Sequence, residues 1–268
     1  MAGSAHNPAV RTALLQMDLA WEDWQANHAR AASLLKRAAD AGADLALLPE
    51  MFATGFSMDS ARVAQPPGGP TERWLQDMAR GLGLHVIAGL AETGAPGGLP
   101  VNNALLVTPD GDVSRYTKIH PFSMAKEDEH YAAGSKVVTW EIAGARVTPQ
   151  VCYDLRFPEP FRLAAGETDA FVVIANWPER RRAHWQTLLR ARAIENLCYV
   201  LGVNRVGEDG NGTPHLGDSA AISPWGETLV SAAAAETVLF VEVDPGQVRD
   251  ARAKLPALQD RRPDRYRR

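Results

Sequence analysis

The chain has 268 residues, 46% hydrophobic and 22% charged, with a net charge of −4, a balance that offers no electrostatic footprint for nucleic acid or an anionic membrane. No stretch approaches the ~20 apolar residues that span a bilayer. The two cysteines, Cys152 and Cys198, are too few for a disulfide-stapled secreted domain and lack the His neighbours of a structural zinc site, so a reducing cytoplasm is expected.

In chain order, residues 1–9 read as a disordered lead-in without the basic-then-apolar pattern of a secretory signal. Val10 to Met17 reads as a strand, and Trp24 to Ala41 as an Ala-rich helix ended by Gly42. Leu45 to Leu48 is a short, continuously apolar strand of the buried kind. Thr71 to Arg80, between Pro70 and Gly81, is the next helix, and His85 to Leu90 another buried strand. Pro109-Asp110-Gly111 turns a hairpin from Asn102–Thr108 into Val113–Lys118, because Asp and Gly tolerate the positive φ of tight turns. A second hairpin, Val137–Ile142 into Ala145–Val151, turns at Ala143-Gly144. Then come a strand over Ala170–Ala175, a helix over Ala183–Leu197, a strand over Tyr199–Arg205 and a hairpin at Pro224-Trp225-Gly226. With no linker, repeat or composition break, the chain reads as one domain over 1–268, its tail at 255–268. Buried strands, helices and hairpins in this order predict mixed sheets covered by helices. The basic end, Arg261 to Arg268, is diluted by Asp260 and Asp264 and reads as a solvated or subunit-contacting tail.

The strongest chemical feature is Val147-Thr148-Pro149-Gln150-Val151-Cys152, a strand ending at a thiol, followed by Pro158-Glu159 in the first turn of a helix. A cysteine at a strand-to-helix turn is presented at the sheet edge near backbone N–H groups, which favour thiolate. By itself such a cysteine is more often a small core residue. Glu50, after the apolar run Leu45–Leu48 and Pro49, caps a strand at the end where open α/β sheets carry their sites. Lys118 ends the strand Val113–Thr117. An exposed loop glutamate and a solvated edge lysine are the alternative readings.

Glu50, Lys118 and Cys152, within Leu48-Pro49-Glu50-Met51-Phe52, Tyr116-Thr117-Lys118-Ile119-His120 and Cys152-Tyr153-Asp154-Leu155-Arg156-Phe157-Pro158-Glu159, resemble the Glu-Lys-Cys triad of the nitrilase superfamily of carbon–nitrogen hydrolases. The likeness extends from Val10 to Tyr266. It implies an α/β fold, a four-layer α-β-β-α sandwich of mixed sheets, associating through helices as a homodimer or higher homo-oligomer, with no metal or organic cofactor. A second glutamate is implied between Lys118 and Cys152; the spacing to Tyr131 and Gly134 favours Glu127 over Glu129. The block Met51 to Met58 is most similar to the ω-amidase branch, which removes the terminal amide of 2-oxoglutaramate or 2-oxosuccinamate. Amidases of N-carbamoyl compounds or aliphatic amides, and a catalytically idle scaffold, are the other readings. In the implied chemistry Glu50 is the base, Cys152 the nucleophile, and Lys118 with the Tyr153 N–H the oxyanion donors, while Glu127 orients Lys118 or the substrate amide, with a share in the proton work as the alternative. Trp177 and Phe122 are expected to wall the pocket. Arg156, Arg181 and Arg182 are candidates for the substrate's far carboxylate, and Arg156 equally for a structural ion pair behind the nucleophile.

Overall fold

A computed structural model describes residues 9–266, so all but the last residue of the expected lead-in lies outside the described residues. In chain order the elements are β1 (Val10–Gln16), α1 (Trp24–Asp40), β2 (Leu45–Leu47), α2 (Ser60–Val63), α3 (Pro70–Leu82), β3 (His85–Glu92), β4 (Val101–Val107) and β5 (Val113–Thr117). There follow α4 (Glu127–His130), β6 (Trp140–Ile142), β7 (Ala145–Val151), α5 (Pro158–Ala164), β8 (Ala170–Ala175), α6 (Arg182–Asn196) and β9 (Tyr199–Asn204). The last are β10 (Val206–Glu208), β11 (Pro214–Leu216), β12 (Ala220–Ile222), β13 (Thr228–Ser231), β14 (Thr237–Val243) and α7 (Pro245–Lys254).

Two six-stranded mixed sheets form, in the orders β14-β1-β2-β3-β4-β5 and β13-β12-β9-β8-β7-β6. The period-2 alternation of the strands explains why they face each other. Along β1, Val10 and Leu14 point into a core shared with Val151, Val172 and Ile174 of the second sheet. Ala13 and Leu15 point the other way, onto Leu34 and Leu35 of α1 and Leu75 of α3. On the far side Phe161 of α5 and Trp185 and Leu189 of α6 cover the second sheet. The fold is therefore the expected α-β-β-α sandwich.

Local chemistry sets the element ends. Asp23 caps α1 by accepting from Ala26 N at 3.0 Å. Pro70 opens α3, which closes on Gly83 at φ 67°, two residues past the expected end. The predicted hairpins form, with β6 shorter than expected at Trp140–Ile142. Not anticipated were the helices α2, α4 and α7, the β10–β11 hairpin, and β14, which closes the first sheet by pairing antiparallel with β1.

Candidate active site

The C-terminal ends of β2, β5, β7 and β8 converge on one point between the sheets. They deliver Glu50, Lys118, Cys152 and Asn176. Glu50 reaches it because the chain after β2 crosses over Gly89 of β3. A Cβ at Gly89 would collide with the Glu50 and Met51 backbone, while Phe52 N donates to Gly89 O at 3.0 Å. Cys152 is held at φ 46° between β7 and a short 3-10 turn over Cys152–Arg156, in the left-handed region that a residue with a Cβ rarely enters.

Glu50, Lys118 and Glu127 are fully buried. The Lys118 ammonium donates to Glu50 Oε1 at 3.0 Å and to Glu127 Oε1 and Oε2 at 3.0 and 2.7 Å. Glu129, the alternative second glutamate, is exposed and pairs with Lys126. Asn102 Nδ2 donates to Glu50 Oε1 at 2.8 Å and to Glu127 Oε1 at 2.9 Å, while its carbonyl accepts from Lys118 N. Phe122 N donates to Glu127 Oε2 at 2.6 Å. Asn176 grips Glu50 twice, its N–H donating to Oε2 at 2.8 Å and its Nδ2 to the Glu50 carbonyl at 2.6 Å. The Cys152 thiol donates toward Asn176 O at 3.9 Å.

Burial by itself would lower the Lys118 pKa, but Glu127 and Glu50 hold it well above the ordinary value, so the residue is a fixed ammonium. Burial pushes the Cys152 thiol well above its usual range and the Glu50 charge pushes the same way, with Lys118 opposing. This corrects the expectation that backbone amides at the turn favour thiolate. Desolvation and a neighbouring carboxylate outweigh them, and the resting nucleophile is a neutral thiol.

Asp154 is the strut between two of these strand ends. Its fully buried carboxylate accepts from Tyr116 Oη at 2.8 Å, His120 N at 2.9 Å and Val151 N at 3.1 Å. Tyr116 and His120 flank Lys118, and Asp154 follows Cys152 by two residues, so one side chain fixes the oxyanion donor relative to the nucleophile. The sequence reading passed over Asp154, Asn102 and Asn176.

Cys152 floors a cavity of about 230 Å³ whose wall includes Phe122 and Trp177, the two residues expected there, and Tyr153, the expected oxyanion donor, together with Phe56, Met58, Arg156, Arg180 and Arg181. The Arg156 guanidinium lies 4.8 Å from the Trp177 ring centre and that of Arg181 5.0 Å from Phe122. Among the described residues no carboxylate pairs with either. Burial, then repulsion from Arg180 and Arg156, lowers the Arg181 pKa. Arg182, the third candidate, is already taken: its Nε and a terminal nitrogen reach the Asp218 carboxylate at 2.7 and 2.8 Å, outside this cavity. The unanticipated β10–β11 hairpin completes the wall with Asp209, Asn211, Thr213 and His215. Asp209 Oδ1 is occupied by the backbone N–H groups of Asn211 and Thr213. Arg205 clamps the hairpin from below, donating to Glu208 O at 3.0 Å and Leu19 O at 3.2 Å. The His215 imidazole is driven down to about 4, chiefly by burial and then by Arg205. It is neutral at physiological pH.

The family described as carbon-nitrogen hydrolase matches residues 11–253. A protein named Omega-amidase YafV from Escherichia coli (strain K12) is 41% identical over 256 residues, covering 94% of this chain and 97% of that one. The 2-oxoglutaramate amidase of Bacillus subtilis (strain 168) is 31% identical, covering 84% and 87%. Among solved structures, a CN-hydrolase superfamily protein of Xanthomonas campestris with an arsenic adduct in its active site is 38% identical. It superposes with a TM-score of 0.90 over 95% of this chain and 97% of that one.

Proposed function

Since this chain belongs to the carbon–nitrogen hydrolase family, we propose that it hydrolyses the terminal carboxamide of a short 2-oxo acid, 2-oxoglutaramate or 2-oxosuccinamate, to the 2-oxo acid and ammonia. The observation that carries this reading is one cavity with the half-buried Cys152 thiol at its floor, the buried Glu50 carboxylate and Lys118 ammonium paired beneath it, and two carboxylate-free guanidiniums, Arg156 and Arg181, in its wall. Arginine presents a planar fork suited to a carboxylate. A substrate with an amide at one end and a carboxylate at the other fits both. The E. coli and B. subtilis relatives carry names of the same activity.

In the mechanism we infer, the substrate carbonyl lies over Cys152 with its oxygen toward the Tyr153 N–H and Lys118 Nζ, whose three hydrogens rest on Glu50 and Glu127 and one of which turns from Glu127 to the oxyanion as it forms. As Sγ attacks the carbonyl carbon, Glu50 takes the thiol proton and the oxyanion forms between the two donors, each worth about 2.7–4 kcal/mol. Collapse breaks the C–N bond, and Glu50 returns its proton to the leaving nitrogen, releasing ammonia and leaving a thioester. Water then attacks, Glu50 accepting its proton. The acid product leaves as the proton returns to sulfur. Glu127 keeps Lys118 in place throughout. The neutral resting thiol suits this order, because the proton that Glu50 removes is the one the leaving nitrogen needs.

Leu163 and Ile194 are exposed on α5 and α6, and we take this face to be where a second copy packs. A cytoplasmic homodimer or higher homo-oligomer is the expected assembly; among the described residues no helix is long and apolar enough to cross a membrane. Ammonia release from 2-oxoglutaramate, glutamine, an N-carbamoyl amino acid and a simple aliphatic amide tests the reading. The first should lead in kcat/KM by a hundredfold or more. Near-equal values would remove the 2-oxo acid assignment and leave the thiol chemistry standing.

A further inference from the structure

Two buried carboxylates, Glu50 and Glu127, flank one ammonium, so either could in principle be the base. Their hydrogen bonds are not equal. Glu127 receives four from the described residues: Asn102 Nδ2 and Lys118 Nζ on Oε1, Lys118 Nζ and Phe122 N on Oε2. A carboxylate oxygen has two lone-pair sites, so both oxygens are full. Glu50 Oε1 is full as well, taking Asn102 Nδ2 and Lys118 Nζ. Glu50 Oε2 receives one protein N–H, that of Asn176. It alone has a site left for a proton.

Asn102 completes this asymmetry. Its two amide hydrogens go to the same two oxygens that the ammonium bridges, at 2.8 and 2.9 Å against 3.0 and 3.0 Å. The amide cannot be turned over, because its Oδ1 would then face both carboxylates. As placed, Oδ1 is buried without a hydrogen-bond partner, a cost a site accepts only for what the other end of the group does.

We propose that Asn102 is a positioning residue that assigns the base. By saturating Glu127 and the inner oxygen of Glu50, it leaves Glu50 Oε2 as the one atom that takes the Cys152 proton. The proposal rests on the roles given above to Cys152 and Glu50.

The test is the pH dependence of kcat and kcat/KM for Asn102→Asp and Asn102→Ser on 2-oxoglutaramate, beside the wild type and Cys152→Ala. Asn102→Asp replaces a two-hydrogen donor with an acceptor and puts a third carboxylate beside one ammonium, so the site takes up a proton near neutrality. The acid limb of its profile should move up by one pH unit or more, with kcat at pH 7 down at least tenfold, part of the loss recovering at higher pH, and KM within threefold. Asn102→Ser keeps one donor; it should lose less and shift less, and it keeps the test open should the aspartate variant not fold. Folded variants with a wild-type acid limb, or a loss carried by KM alone, would overturn the proposal. Activity surviving in Cys152→Ala would instead overturn the reading it rests on, so the two failures are distinguishable.

Discussion

The floor and the wall of the cavity are built on opposite principles. Beneath the floor that Cys152 forms, Glu50, Glu127, Lys118 and Asp154 are buried and held by two or more hydrogen bonds apiece. Such groups are over-determined, and their geometry is set before substrate arrives, as electrostatic catalysis requires. On the wall, Arg156 and Arg181 rest on aromatic rings with no carboxylate from the described residues. A group whose natural partner is missing in the free protein acts on what binds. The contrast divides the labour: groups paired with an opposite charge do chemistry, and the two guanidiniums without a carboxylate, of which Arg156 also donates to His184 Nδ1 at 3.2 Å, choose.

Substitutions at the floor should therefore strike kcat and those on the wall KM. The largest effect belongs to Cys152→Ala, which should lower turnover by about 10⁴-fold or more, since removing a nucleophile costs on that order. Cys198→Ala should leave turnover intact, because Cys198 is buried in the apolar core with its thiol pushed up to about 12, chiefly by burial. Equal losses at the two cysteines would break the comparison at once.

Next comes Lys118→Arg, which keeps the charge but replaces a compact ammonium with a fork that two carboxylates and Asn102 leave no room to turn. A loss in kcat of about a hundredfold, the size of one oxyanion donor, is expected in steady-state assays. A rise in KM alone would place Lys118 on the wrong side of the division.

On the wall, Arg181→Leu should raise KM for 2-oxoglutaramate by about tenfold or more, and move kcat on an uncharged aliphatic amide by less than about threefold, as expected when a charge-assisted hydrogen bond of ~1.5–3 kcal/mol is lost. If both substrates suffer alike, Arg181 is structural.

The smallest effect concerns pH and stability. His28, packed 4.3 Å from the Trp74 ring and bonded to Thr71 Oγ1, is lowered by burial to about 4. His215 is lowered to about 4 as well. A histidine depressed in the fold is protonated first in the unfolded chain. Stability is therefore full above about pH 6.5, falls as pH drops toward 4, and levels below. Denaturant melts at pH 7 and 4.5 should show this fall, and His28→Gln should flatten part of it, by ~1–3 kcal/mol. The pH dependence of kcat should be unchanged in that variant, because His28 belongs to α1 and its partners Thr71 and Trp74 do not line the cavity.

The floor was far more legible than the wall. Glu50, Lys118 and Cys152 each end an apolar or β-branched run, a local signal that survives without knowing how strands pair. Glu127 and Glu129 are two residues apart, and only burial separates them. Asn102 and Asn176 look like ordinary polar residues because their partners lie up to 126 positions away. Arg182 read as a candidate because the sequence does not bring Asp218 to it, 36 residues on. The β10–β11 hairpin was missed for a physical reason: its strands are three residues long and depend on Arg205 reaching back to the end of β1. β14 carries a plain β-branched run, Thr237–Val243, but nothing local says that it belongs beside β1.

That last pairing sets an order of events when the chain is made. The second neighbour of β1 in the sheet comes from far along the chain: Arg11 and Glu242, bonded across the β1–β14 ladder, stand 231 positions apart. At synthesis rates of ~5–20 residues per second, the outer edge of β1 stays open for roughly 10–50 s after it has emerged. Its segment, VRTALLQ, is apolar and rich in strand formers, the kind of edge that recruits foreign strands. Of the described strands the first to be made is thus among the last to be covered on both sides.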